Sequence, residues 1–134
     1  MNIVLDTNVL VSGLLSPFGN SADILRLVLS NRLYLCVDAR ILTEYREVLH
    51  RPKFQFDNSR VEILIDYIHK IGVLINSTPL SNTMSDPDDV PFLEVAVSGG
   101  AEYLVTGNIG HFPAKYGNVQ IITPAELMTK YREA

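Results

Sequence analysis

The chain has 134 residues, 47% of them apolar and 19% charged, enough to bury a core and too apolar for an intrinsically disordered chain. Its net charge of −4 excludes a surface that holds nucleic acid by bulk charge. No run approaches the roughly 20 apolar residues of a membrane span.

The first element is a short apolar strand, Asn2 to Leu5. It has neither the basic flank nor the small-residue cleavage site of a signal peptide. Val9 to Leu15 reads as a helix, stopped by the turn residues 16–20. A second helix is expected from about Ser21 to Ser30, with Ile24, Leu25, Val28 and Leu29 at helical spacing. Leu33 to Val37 is strand-like and contains the single cysteine, Cys36, which excludes an internal disulfide and reads as a buried thiol. The next helix, about Asp38 to His50, carries a stripe of Ile41, Leu42, Tyr45, Val48 and Leu49, and Pro52 stops it. Ser59 and Glu62 fit a capping box for a helix running to Gly72.

Val73 to Ile75 is a short strand, followed by a polar stretch from Asn76 to Asp89. Asp88 or Asp89 can cap the helix that contains Phe92, Leu93, Val95 and Ala96, with Pro91 in its first turn. Tyr103 to Thr106 and Val119 to Thr123 are strands, and Thr123-Pro124-Ala125-Glu126 opens the last helix with a capping box. Strands separated by helices mean an α/β fold with a mainly parallel sheet covered on both faces. We expect a single domain spanning residues 1–134, located in the cytoplasm and without a membrane partner.

Such sheets place their sites at the carboxyl ends of the strands. Ile3-Val4-Leu5 empties directly into Asp6-Thr7-Asn8, and the strand ending at Thr106 leads into Gly107-Asn108. Glu44 lies beside Val48 at the edge of the apolar stripe, so it either leans toward the sheet or faces solvent. Asp86-Pro87-Asp88-Asp89 is the densest acid cluster. Each acid also has a plainer reading, Asp6 and Asp89 as helix caps and Glu44 as a surface residue. Residues 71–114 contain no Lys or Arg, whereas eight of the eleven lie between Arg26 and Lys70. Carboxylates converging from separate strand ends repel one another unless a cation joins them. An oxygen-only set suits Mg²⁺ or Mn²⁺ rather than Zn²⁺, and such an ion can activate water against a phosphodiester.

Three segments together resemble the PIN-domain family. They are Ile3 to Leu10 with its strand-Asp-Thr-Asn opening, Leu42-Thr43-Glu44-Tyr45, and Asp86 to Ala96 followed by Ala101 to Asn108. The resemblance implies a three-layer α/β/α sandwich and Mg²⁺- or Mn²⁺-dependent cleavage of RNA. It implies an acidic triad of Asp6, Glu44 and Asp89, with Asp86 and Asn108 as further metal-site positions and Thr7, Asn8 and Thr106 in support. Small members of the family are often toxins held silent by a protein antitoxin, and many form homodimers.

The family's Thr-x-Asp-x-x-Asp pattern here carries Asn108 and His111 in place of the acids. His111, Arg40, Arg46, Arg51 and neighbouring Lys53 are candidates for RNA contacts. The alternative is a non-catalytic PIN-like module that binds RNA or protein through a weakened metal site. An aspartyl phosphatase would want an acid where Asn8 stands and a lysine near the later acids, and a nucleotide switch would want a phosphate-binding loop; both are absent.

Overall fold

Ile3, Val4 and Leu5 are all buried, as a strand covered on both faces requires. In the computed structural model, which describes residues 1–80 and 86–134, they belong to β1 (Asn2–Leu5). Residues 81–85, within the polar stretch expected before Asp89, lie outside the described residues. The remaining described strands are β2 (Tyr34–Val37), β3 (Val73–Leu74), β4 (Tyr103–Val105), β5 (Lys115–Tyr116) and β6 (Val119–Ile122). They form one sheet in the order β3-β2-β1-β4-β6-β5. Every neighbouring pair is parallel except β5 and β6. Ile3 stands opposite Leu35 on one side and Tyr103 on the other, while Leu5 stands opposite Val105. From β1 the chain goes to β2 on one side and later returns to β4 on the other. A crevice therefore opens between the carboxyl ends of β1 and β4.

The sheet is flanked by α1 (Thr7–Leu15), α2 (Asn20–Leu29), α3 (Ala39–Leu49), α4 (Asn58–Ile71), α5 (Val90–Ser98) and α6 (Pro124–Glu133). This is the α/β architecture that the alternation of strand and helix signals led us to expect. Among the described residues no helix is long and apolar enough to cross a membrane. The packing of α1 on α2 depends on Gly13, where a Cβ would come within 2.9 Å of the Ser21 carbonyl oxygen. On α3 the expected stripe is realised: Ile41, Tyr45 and Leu49 are buried, and Leu42 and Val48 pack beside them.

Two local expectations are corrected. The capping box at Ser59 and Glu62 does not form. Asp57 accepts from the Arg60 N–H at 3.0 Å and starts α4 earlier, while Glu62 is taken by Arg46 and His50. Next, α1 starts at Thr7 rather than Val9, because the Asp6 carboxylate accepts from the Thr7 N–H. One element was not anticipated: Lys115–Tyr116 pairs antiparallel with β6 through a turn with Gly117 at φ 57, a hairpin too short to announce itself by alternation. The capping box at Thr123 and Glu126 is present as expected.

Tyr45 links α3 to the strand that carries the first acid. It is wholly buried, and its hydroxyl donates to the Leu5 carbonyl at 2.6 Å. Replacing Tyr45 by Phe leaves the ring in place and strands that carbonyl oxygen of its donor. We predict a loss of about 1–2 kcal/mol of stability, read from chemical denaturation of both proteins.

Candidate active site

At the mouth of the crevice the chain turns from β1 into α1 at Asp6, which is 8% exposed. Burial raises its carboxyl pKa, and hydrogen bonds pull it back. The Thr106 hydroxyl donates to Oδ2 at 2.7 Å, the Thr7 N–H to Oδ1 at 2.8 Å, and the Asn8 amide to Oδ2 at 3.1 Å. Asn8 also accepts from the Gly107 N–H at 3.0 Å, so one side chain ties the end of β1 to the end of β4. Thr106 is fully buried beneath Asp6, and its hydroxyl in turn accepts from the Asn108 N–H at 3.0 Å.

Glu44 approaches from α3 and receives the Thr7 hydroxyl. Its carboxyl is raised by burial first, and by repulsion from Asp6, Asp88 and Glu47. Asp89 occupies the N-cap position of α5, yet its side chain makes no capping hydrogen bond. Among the described residues its buried Oδ2 has no hydrogen-bond partner, and the His111 imidazole Nδ1 lies 3.7 Å away. Burial, then repulsion from Asp6 and Asp86, pushes Asp89 up to about 6. Asp86 caps its own short turn by accepting from the Asp88 N–H.

A cleft of about 440 Å³ brings Asp6, Glu44, Asp89, Asp86, Asn108 and His111 together, with Thr7 and Asn8 on its wall. The capping alternative holds for Asp6, which does cap α1 while also facing the cleft. It does not hold for Asp89. Among the basic candidates, Arg51 lines this cleft, and Arg40 and Arg46 do not. Arg40 is bound to Asp38 and to Glu94, at 2.8 and 2.7 Å, and Arg46 is bound to Glu62.

Two contributors were missed in the sequence. Glu94 is buried on α5 and holds both Arg40 and the Leu80 N–H; its signal was an acid inside the apolar run from Phe92 to Ala96. Phe54 forms part of the cleft wall from the segment after α3, and no periodic pattern marks a lone aromatic there.

Among the described residues no three acidic, histidine or cysteine side chains are already gathered into a cation cage. Glu44 is drawn onto Thr7 and Asp6 onto Thr106, as mutually repelling carboxylates each take the nearest donor. The donors of the cleft nevertheless suit a hard divalent ion. The acids offer carboxylate oxygens, and among the described residues one of these, Asp89 Oδ2, is buried with no hydrogen-bond partner.

Residues 2–110 match the family model described as PIN domain. An uncharacterized protein of Methanocaldococcus jannaschii is 28% identical over 111 residues, covering 81% of this chain and 71% of that protein. Among solved structures, the chain is similar to one in the crystal structure of VapBC2 from Rickettsia felis bound to a DNA fragment from their promoter. The TM-score is 0.58 at 16% identity, covering 92% of this chain and 98% of the other, a likeness of fold.

The raised carboxyl of Asp89 carries a stability consequence. Its folded value of about 6 exceeds the ordinary 3.8, so the fold favours the protonated form. Stability from this group is therefore present at low pH and lost as pH rises from about 4 to about 6. We predict that Asp89→Asn stabilises the metal-free protein by about 1–2 kcal/mol at pH 7.5 and has little effect at pH 4, measured by thermal melting at both pH values.

Proposed function

The chain belongs to the PIN-domain family, and from that premise we propose that it is a Mg²⁺- or Mn²⁺-dependent endoribonuclease, one PIN-like domain over residues 1–134. The observation that carries the reading is the buried Oδ2 of Asp89, without a hydrogen-bond partner among the described residues, in a cleft shared with Asp6 and Glu44. Asp6, Glu44 and Asp89 would hold the ion, with Asp86 and the Asn108 side-chain oxygen as further donors. Bound there, it supplies positive charge for a phosphate and lowers the pKa of water.

The chain's own groups do the rest. Thr106 and Asn8 fix the Asp6 carboxylate, so its lone pairs point one way. Thr7 orients Glu44. Arg51 at the rim offers a cation to a phosphate that the carboxylates would otherwise repel. His111 beside Asp89 adds a group able to donate to substrate oxygen.

The solved relative is a VapBC complex, and we propose that this chain is likewise the toxin of a toxin–antitoxin pair, working in the cytoplasm as a homodimer and silenced by a protein antitoxin. A second reading, a non-catalytic module that binds RNA or protein, draws on Asn108 and His111 standing where further acids would strengthen the site.

Incubation of single-stranded RNA with the purified protein separates the two. We expect cleavage with Mn²⁺ or Mg²⁺, none in EDTA, and loss to background in Asp6→Asn with the fold intact by circular dichroism. RNA bound but uncut at saturating Mn²⁺ would favour the module. Where Asn108 offers only an amide, Asn108→Asp adds a charged oxygen. We predict about tenfold tighter Mn²⁺ binding by titration calorimetry, most of the Coulomb gain being cancelled by repulsion from the other acids.

A further inference from the structure

One wall of the acidic cleft is aromatic, and the segment that builds it is held with unusual care. After α3, Pro52 opens a 3-10 turn that ends at Phe54, and Gln55 then adopts φ 56. A non-glycine residue in that left-handed region persists only where its surroundings hold it. The Phe54 and Phe56 rings stack, with centroids 5.7 Å apart and planes 22° from parallel. Phe54 is only partly buried, and together with Arg51 it lines the cleft that holds Asp6, Glu44 and Asp89. Lys53 Nζ lies 5.0 Å from the centre of the Phe54 ring. Arg51 is exposed and, among the described residues, enters no ion pair, unlike Arg40 and Arg46.

A partly exposed aromatic ring and a guanidinium in the cleft that holds the acids, with a lysine ammonium beside the ring, are the elements of single-strand recognition. A nucleobase stacks on any π face, and cations beside it take the backbone charge. We propose that Phe54 is a base-stacking position for single-stranded RNA, with Arg51 taking the adjoining phosphate. The substrate class rests on the nuclease reading above; the stacking position does not. An arriving base displaces the Lys53 ammonium from the ring, since a solvated cation–π contact is weaker than base stacking, and the ammonium turns to the backbone. Duplex RNA has both faces of each base occupied and cannot use the position, so the wall selects unpaired strands next to the acids.

The chain contains no tryptophan, so Phe54→Trp introduces a unique indole at the proposed position. In an Asp6→Asn background with Mg²⁺ present, an end-labelled ribo-oligonucleotide should raise its own anisotropy and quench the indole together. Quenching should vanish when one nucleotide in the strand is made abasic and be absent with the same sequence as a duplex. Anisotropy without quenching, equal quenching by duplex, insensitivity to every abasic position, or no binding at all would each overturn the proposal. A second variant, Phe54→Leu, keeps the apolar packing and removes the π face. Its KM for single-stranded RNA should rise about tenfold with kcat nearly unchanged. An unchanged KM in a variant that still cleaves would overturn the stacking position and leave the nuclease reading standing. Quenching in a protein that cuts no RNA would do the reverse.

Discussion

Asp6 is a carboxylate that the chain takes almost out of water at the end of a central strand, and much of the surrounding structure exists to make that tolerable. Burial alone favours the neutral acid. Against it stand the hydroxyl of Thr106 just after β4, an amide from the first turn of α1 and a backbone N–H at the start of that helix. These partners come from both sides of the crevice. A single buried charge thereby sets where α1 begins, which way Asn8 faces, and how the loop after β4 folds back. The backbone bond from the Asp6 N–H to the Val105 carbonyl, at 2.9 Å, continues the ladder into the site. The acid thus sits on the sheet itself rather than on a loop beside it.

The second level of support is ionic. Glu94 on α5 holds Arg40 on α3 and the backbone at Leu80, and Arg40 reaches on to Asp38 at the start of α3. Glu44 belongs to α3 and Asp89 to the start of α5, so this brace connects the two elements that bring the second and third carboxylates to Asp6. Arg40 therefore braces the scaffold, and it also lines the hollow beside the cleft together with Glu44, Arg51 and Asp88. Its guanidinium fork satisfies a carboxylate that would otherwise be buried without a cation.

What the sequence made legible follows from periodicity. The order of strands and helices, the parallel sheet and the apolar face of α3 could all be read, because each repeats over several residues. The polar groups at the ends of the first and fourth strands were legible for a related reason: an apolar run that stops abruptly at Asp6 or Thr106 marks a strand end. Features carried by one residue were harder to see. Asp57 and Ser59 are equally good caps on paper, and only the demand on Glu62 from Arg46 and His50 decides between them. Phe54 and Glu94 act through partners distant in the chain, and a single sequence does not display such pairings. The two-residue hairpin strand is below the length at which alternation has meaning.

The outermost strands carry a last consequence. Each edge of the sheet ends in a strand of only two residues, Val73–Leu74 at one side and Lys115–Tyr116 at the other. Such edges offer little unpaired backbone for a foreign strand to copy, and Lys115 adds a charge that would have to be desolvated. Both features disfavour edge-to-edge growth of the sheet. Copies of this chain that associate would meet through helical faces and loops, the same kinds of element that line the acidic cleft.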